Sequence, residues 1–265
     1  VAYRGGTIGT GGTRTARAFR VSGIALRGCL AVLLVWQAAV YLLDPPRFLL
    51  PSPALVGETL LARLPMLWTQ ALLTFAEAGL GLLFGSLAGI LAAFLVVAMP
   101  RVGALAWPVL LVLQALPVFA IAPLLVLWFG FGMASKVVMA ALVLFFPVAS
   151  AFADGLRRTE RDLVEAAELA GATPFQTLMR LRLPLAMPAL ASGLRVAAPL
   201  APLGAVIGEW VGATGGLGFV MIQANARMQT DLLFAAFALL AVLTLVLRVL
   251  VDEFVPLLAP WARSI

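Results

Sequence analysis

The chain contains no histidine and a single cysteine, Cys29. Without histidine there can be no Ser-His-Asp triad, no His-Glu-x-x-His zinc site and no histidine-ligated haem. One cysteine allows neither an intrachain disulfide nor a thiolate metal cluster. Charge is also scarce. Only 11% of the 265 residues are Asp, Glu, Lys or Arg, against about 25% in soluble domains. Lysine occurs once, as Lys136, flanked by Ser135 and Val137. A P-loop needs Gly-Lys followed by Ser or Thr, so that backbone amides and the lysine together hold phosphates. No such segment exists here, so the chain carries no ATP-hydrolysing motif of its own. No catalytic residue, cofactor or metal site is expected.

What the chain does have is apolar length. Hydrophobic residues make up 63% of it, more than a water-soluble fold of this size can bury, and the long runs need lipid as their solvent. A span takes roughly 20 apolar residues. Such runs fall near 24–43, 71–98, 104–128, 135–153, 186–208 and 232–258. They predict an all-α, polytopic membrane protein with about six transmembrane helices. The third run carries Pro108, Pro117 and Pro123, and the fifth Pro188, Pro199 and Pro202. Proline removes a backbone donor and kinks a helix. In lipid the freed carbonyls must be met by neighbouring helices or by water in a cavity. Pro117 and Pro123 are therefore candidates for a pathway lining, with kinked packing as the plainer alternative.

Residues 1–22, rich in Gly, Thr and Arg, read as a disordered basic tail, and 23–265 as the membrane domain. The run from Ile24 to Leu43 is long for a signal-peptide core and reads as a retained span. The net charge is +6, but its arginines lie between apolar runs. That assigns them to membrane topology and not to a nucleic-acid partner. Arg4, Arg14, Arg17, Arg20 and Arg27, then Arg101, then Arg157, Arg158, Arg161, Arg180 and Arg182, then Arg263 alternate onto one face of a six-span chain. The other face holds Arg47, Arg63, Lys136 and Arg227. The positive-inside rule then places both termini in the cytoplasm of a multi-pass plasma (inner) membrane protein. Gly81, Gly85 and Gly89 share one helix face, and small residues at this spacing let helices approach closely. Packing within the chain is the expected use.

Residues 154–184 differ from the rest: charged, and cytoplasmic by the charge rule. They predict two short helices. Thr159 and Asp162 have capping-box spacing. Gly171 suits a left-handed helix end. Thr173, Pro174 and Gln176 have the pattern of a second capped start, and Pro184 is expected to stop that helix.

The segment Glu165-Ala166-Ala167, then Gly171, then Leu181-Arg182-Leu183-Pro184 resembles the EAA loop of ABC importer permeases. Leu181 stands where isoleucine is usual. The likeness extends from about Leu49 to Trp261. Ala122-Pro123-Leu124, Leu127 to Gly132 and Ile207 to Gly218 are similar to permeases of the nitrate, sulfonate and taurine branch. Gln223 to Asp231 looks most like permeases for the pyrimidine precursor of thiamine. The resemblance implies the type I importer permease fold and alternating access. It makes Glu165, Ala166, Ala167, Gly171, Leu181, Leu183 and Pro184 an ATPase-coupling loop. It further implies a cytoplasmic ATP-binding subunit dimer, a second permease subunit as a homodimer partner, and a periplasmic or lipid-anchored solute-binding protein.

Several charges lie inside spans, where each is costly enough to need a reason. Glu209, next to Trp210, is expected to line the path or to anchor an outer loop containing Gly212, Gly215, Gly216 and Gly218. Glu77 and Arg195 are expected to form intersubunit or intrahelical pairs. Arg248, Asp252 and Glu253 have i, i+4 spacing. An ion-coupled secondary transporter is the alternative, but the two halves show no repeat of the kind that class carries. An intramembrane enzyme is disfavoured by the absence of histidine and of paired intramembrane acids at helical spacing.

Overall fold

The computed structural model describes residues 12–115 and 117–262. Residues 1–11 of the expected tail, and Arg263, lie outside the described residues. Where a disordered tail was expected to reach residue 22, a helix α1 already runs Gly12–Leu43. All regular elements of the described residues are helices, with no strand among them.

After α1 come α2 (Pro53–Ala62), α3 (Leu64–Ala98), α4 (Pro100–Ala115), α5 (Val118–Phe129) and α6 (Met133–Arg157). The polar loop holds α7 (Arg161–Leu169) and α8 (Pro174–Thr177). A π-helical turn, Leu178–Arg182, leads into α9 (Leu183–Ala197), and a 3-10 turn, Ala198–Leu200, into α10 (Ala201–Gly212). The chain ends with α11 (Leu217–Ala226), α12 (Thr230–Leu258) and a short turn.

Among the described residues four stretches are long and apolar enough to cross a membrane: α3, α6, the continuous Pro174–Gly212 element, and α12. They match the second, fourth, fifth and sixth runs of the sequence. The third run is two shorter helices, α4 and α5, which meet where Pro117 takes an extended conformation (φ −64°, ψ 107°). The described apolar part of α1 is Leu30–Leu43.

The core lies between α3 and α6, with α9 and α10 against α6. Its shape follows from side-chain size. Gly81, Gly85 and Gly89 of α3 face α6. An added Cβ would overlap the Ala140 side chain at the first, and would fall 2.7 Å from the Ala141 carbonyl and 2.7 Å from the Phe145 carbonyl at the others. The opposite face of α3 exposes Leu83, Leu87 and Leu91. Small residues inward and large apolar residues outward is the pattern that lipid selects, because helix association there depends on close packing and not on hiding leucine from water. The glycine stripe is therefore an intrachain contact.

A second core gathers Leu67, Ala71, Leu217, Met221, Ala235 and Ala236 from α3, α11 and α12. It seats α11, a short helix the sequence does not mark as a separate element. Here Trp36 of α1 also docks, its indole donating to the Pro51 carbonyl at 3.1 Å.

Candidate functional site

The polar loop is built by local capping. α7 ends at Ala170, and Gly171 follows at φ +79°. The Gly171 amide reaches the Glu168 carbonyl at 2.9 Å, and the Ala172 amide the Ala167 carbonyl at 3.0 Å. This pair of bonds is a complete Schellman closure. α8 opens with a reciprocal capping box: Gln176 N donates to Thr173 Oγ1 at 3.2 Å, and Thr173 N donates to Gln176 Oε1 at 2.8 Å. Two expectations fail. Thr159 does not cap α7, whose N-cap is Glu160; the buried Thr159 hydroxyl has no partner. Pro184 does not stop the second helix. A widened turn, with the Leu183 amide on the Leu178 carbonyl, carries the chain past a residue without an N–H, and Pro184 sits in the first turn of α9.

None of α7 is buried. Glu165, Ala166 and Gly171 are exposed, Ala167 partly so, and Leu181, Leu183 and Pro184 are half-buried at the loop's base. Leu169 is 91% and Phe175 65% exposed. Thr177 and Leu178 are buried and hold the loop to the bundle.

The other end of the Pro174–Gly212 element carries a buried polar node. Glu209 is 1% exposed. Its Oε1 accepts from Thr74 Oγ1 at 2.6 Å, and its Oε2 from the Gly218 amide at 2.5 Å. The Thr74 hydroxyl accepts the Leu217 amide at 2.8 Å, and Gln70 Oε1 the Gly216 amide at 2.6 Å. Side chains from α3 and α10 thus satisfy three successive amides at the start of α11, donors that a helix leaves without partners of its own. A carboxylate here also meets the positive end of the helix dipole. Gly216, at φ +103°, leaves room for the carboxylate, which a Cβ at that position would overlap.

Lys136 stands on the far side of the same turn and is 1% exposed. Its Nζ donates to the Phe131 carbonyl at 2.5 Å, to the Gly132 carbonyl at 3.0 Å and to the Gly212 carbonyl. Its ammonium is buried inside the bundle. It is a cap shared by the α5–α6 turn and the end of α10. Glu77 is buried beside Glu209 within the field of Lys136, its Oε2 without a partner. Within the subunit it forms no intrahelical ion pair.

Of the residues singled out for a path or gate, Glu209 points into the bundle while Trp210 is half exposed. Pro117 and Pro123 lie on exposed positions at the start and middle of α5. The sequence did not single out Thr74, Gln70 or Lys136 for this node. The available signal was a lone lysine one turn into an apolar helix.

Arg195 pairs across helices, its Nε donating to Asp252 Oδ1 at 3.0 Å, and Arg248 Nε holds Asp252 Oδ2 at 2.8 Å. The Arg248–Asp252 pair has the expected i, i+4 spacing; Arg195 adds a contact from α9. Among the described residues no group of acids and cysteine could hold a metal ion.

Residues 85–264 match the family of binding-protein-dependent transport system inner membrane components. A probable ABC transporter permease protein of Haemophilus influenzae is 47% identical, over 83% of this chain and 90% of that protein. The riboflavin transport system permease protein RibX of Chloroflexus aurantiacus is 38% identical over 95% of each. The formylaminopyrimidine transport permease protein ThiX of Halalkalibacterium halodurans is 34% identical, over 89% of this chain and 94% of that protein. Among solved structures, an inward-facing MetNI methionine ABC transporter aligns with TM-score 0.63 at 21% identity, covering 74% of this chain and 98% of that one. That likeness shows a shared all-α importer fold. Together with the family match it places the chain among the binding-protein-dependent inner-membrane components: it is a multi-pass permease subunit of an ABC importer, and ATP hydrolysis belongs to a separate subunit.

Proposed function

We propose that the loop from Glu160 to Pro184 is the surface on which the partner ATPase acts, with Glu165, Ala166, Ala167 and Gly171 at its centre and Leu181, Leu183 and Pro184 at its base. The observation that carries this reading is the loop's build. It is shaped by the backbone closure at Gly171 and the reciprocal Thr173–Gln176 box, yet leaves Leu169 and Phe175 in the open. An exposed apolar pair on a rigid knob fits a protein partner better than water. ATP-driven closure of two ATPase copies moves this loop, and the helical element rooted in it carries the motion toward Glu209 and the turn before α11. Two permease subunits enclose the path. A solute-binding protein delivers the solute to the face opposite the loop. The loop and both termini then face the cytoplasm, a reading the arginine distribution supports.

Glu209 acts in this scheme as an anchor and not as a lining group, because its oxygens are engaged by Thr74 and Gly218. Trp210, Pro117 and Pro123, which are exposed on the single subunit, remain available to a path formed with a second copy.

For the solute we propose a small nitrogen heterocycle, with the pyrimidine precursor of thiamine favoured. The likeness of Gln223 to Asp231 to thiamine-precursor permeases supports it, as does 34% identity to a formylaminopyrimidine permease. A flavin is the second reading, on 38% identity to a riboflavin permease. The cognate binding protein separates the two. A rise in its melting temperature with formylaminopyrimidine and none with riboflavin supports the first; the reverse supports the second. A response only to taurine or an alkylsulfonate removes both.

A further inference from the structure

Two prolines interrupt the fifth span within four residues, and the chain treats them differently. A proline at position i leaves the carbonyl of residue i−4 without its helical donor. For Pro202 that carbonyl is Ala198, and the Ala201 amide meets it inside the 3-10 turn. For Pro199 it is Arg195. The preceding amide, Ala198, is bound to the Leu194 carbonyl. Instead the Arg248 guanidinium of α12 donates through Nη1 to the Arg195 carbonyl. The same guanidinium holds Asp252 through Nε, and Asp252 in turn holds the Arg195 side chain. Arg195 is thus gripped at both its backbone and its side chain by one turn of α12.

We propose that Arg248 and Asp252 are positioning residues of the transport cycle, which replace the donor that Pro199 lacks and tie the break in the fifth span to α12. The break lies inside the continuous Pro174–Gly212 element. It falls roughly 22 Å of helix beyond Pro184 and roughly 20 Å before Gly212. Untethered, the 3-10 turn is where a push from the polar loop would be taken up as local bending. Tethered, the push moves the whole element together with α12. Only arginine serves this geometry: Nε and Nη1 point at two acceptors in fixed directions, which a lysine ammonium on a flexible stem does not reproduce.

The test uses the full chain assembled with its ATPase subunit in lipid nanodiscs, as wild type, R248K, P199A and P199A/R248K. Two readouts are taken: the melting temperature, and the ratio of binding-protein-stimulated to basal ATPase rate. R248K keeps the charge beside Asp252 but loses the second donor. It is expected to lower the melting temperature by about 3 °C and to reduce the stimulation ratio. P199A restores a backbone amide for the Arg195 carbonyl. R248K should therefore cost much less in both readouts when made on P199A than on wild type. Equal losses on the two backgrounds would overturn the proposal. If R248K alone does not assemble, P199A/R248K decides: recovery of an assembled complex supports the tether, and failure to recover one refutes it.

Discussion

Thr74 and Glu209, 135 positions apart, meet in the interior of the helix bundle with 2.6 Å between hydroxyl and carboxylate, and the same hydroxyl takes the Leu217 amide. One small side chain on α3 thereby fixes both an acid on α10 and the first turn of α11. Removing it leaves a buried carboxylate oxygen and a buried amide each short of a partner. Thr74→Val, nearly identical in shape, is expected to destabilise the subunit by about 2–4 kcal/mol. Thermal melts of the purified membrane protein check this. A melt unchanged from wild type contradicts the bonding described.

Glu209→Gln tests the same node from its other side. The amide cannot accept at both of its ends, so one donor, Thr74 Oγ1 or the Gly218 amide, faces an NH2 group. The expected loss is about 1–3 kcal/mol. Faster hydrogen exchange at Leu217 and Gly218 should accompany it, with the rest of the bundle unchanged.

The glycine stripe makes a steric prediction. A Cβ at position 85 would sit 2.7 Å from the Ala141 carbonyl, a backbone atom that cannot move aside. Gly85→Val should lower the yield of monodisperse protein and cost about 1–3 kcal/mol by overpacking. Gly79, whose Cβ would meet nothing within 4 Å, should accept alanine without loss.

Within the polar loop, Gly171 has open space around it but a left-handed backbone. Gly171→Ala should therefore cost about 1–2 kcal/mol of local stability through conformation alone, and Gly171→Asn less, because asparagine tolerates that region. Protease cleavage between α7 and α8 measures the difference; equal cleavage of both variants contradicts it.

How far the sequence could be read follows the range of the forces involved. Gly171 and the Thr173–Gln176 box were legible because their partners lie within a few residues. Gly81, Gly85 and Gly89 were legible as a packing face, since helical periodicity alone brings them together. The capping role of Lys136 was not legible because its acceptors are backbone carbonyls, one of them 76 positions away, and a carbonyl leaves no mark in a sequence. Thr74 and Gln70 were invisible for the same reason: their partners are amides of α11. Thr159 had the right spacing for a cap, yet α7 begins one residue later, at Arg161, with Glu160 as its N-cap. Pro184 failed as a stop because a single widened turn absorbs its missing donor. Arg195 was expected to pair, but its true partner on α12 lies 57 positions on, beyond any helical spacing.

The central claim is that the capped loop receives the work of a separate ATPase. It is tested by Glu165→Arg and Gly171→Asp in the full transporter, with co-purification of the ATPase subunit and binding-protein-stimulated ATP hydrolysis measured side by side. Both variants should insert at wild-type abundance, lose stimulated hydrolysis and release the ATPase subunit. Wild-type stimulation and retention in Glu165→Arg would contradict the account.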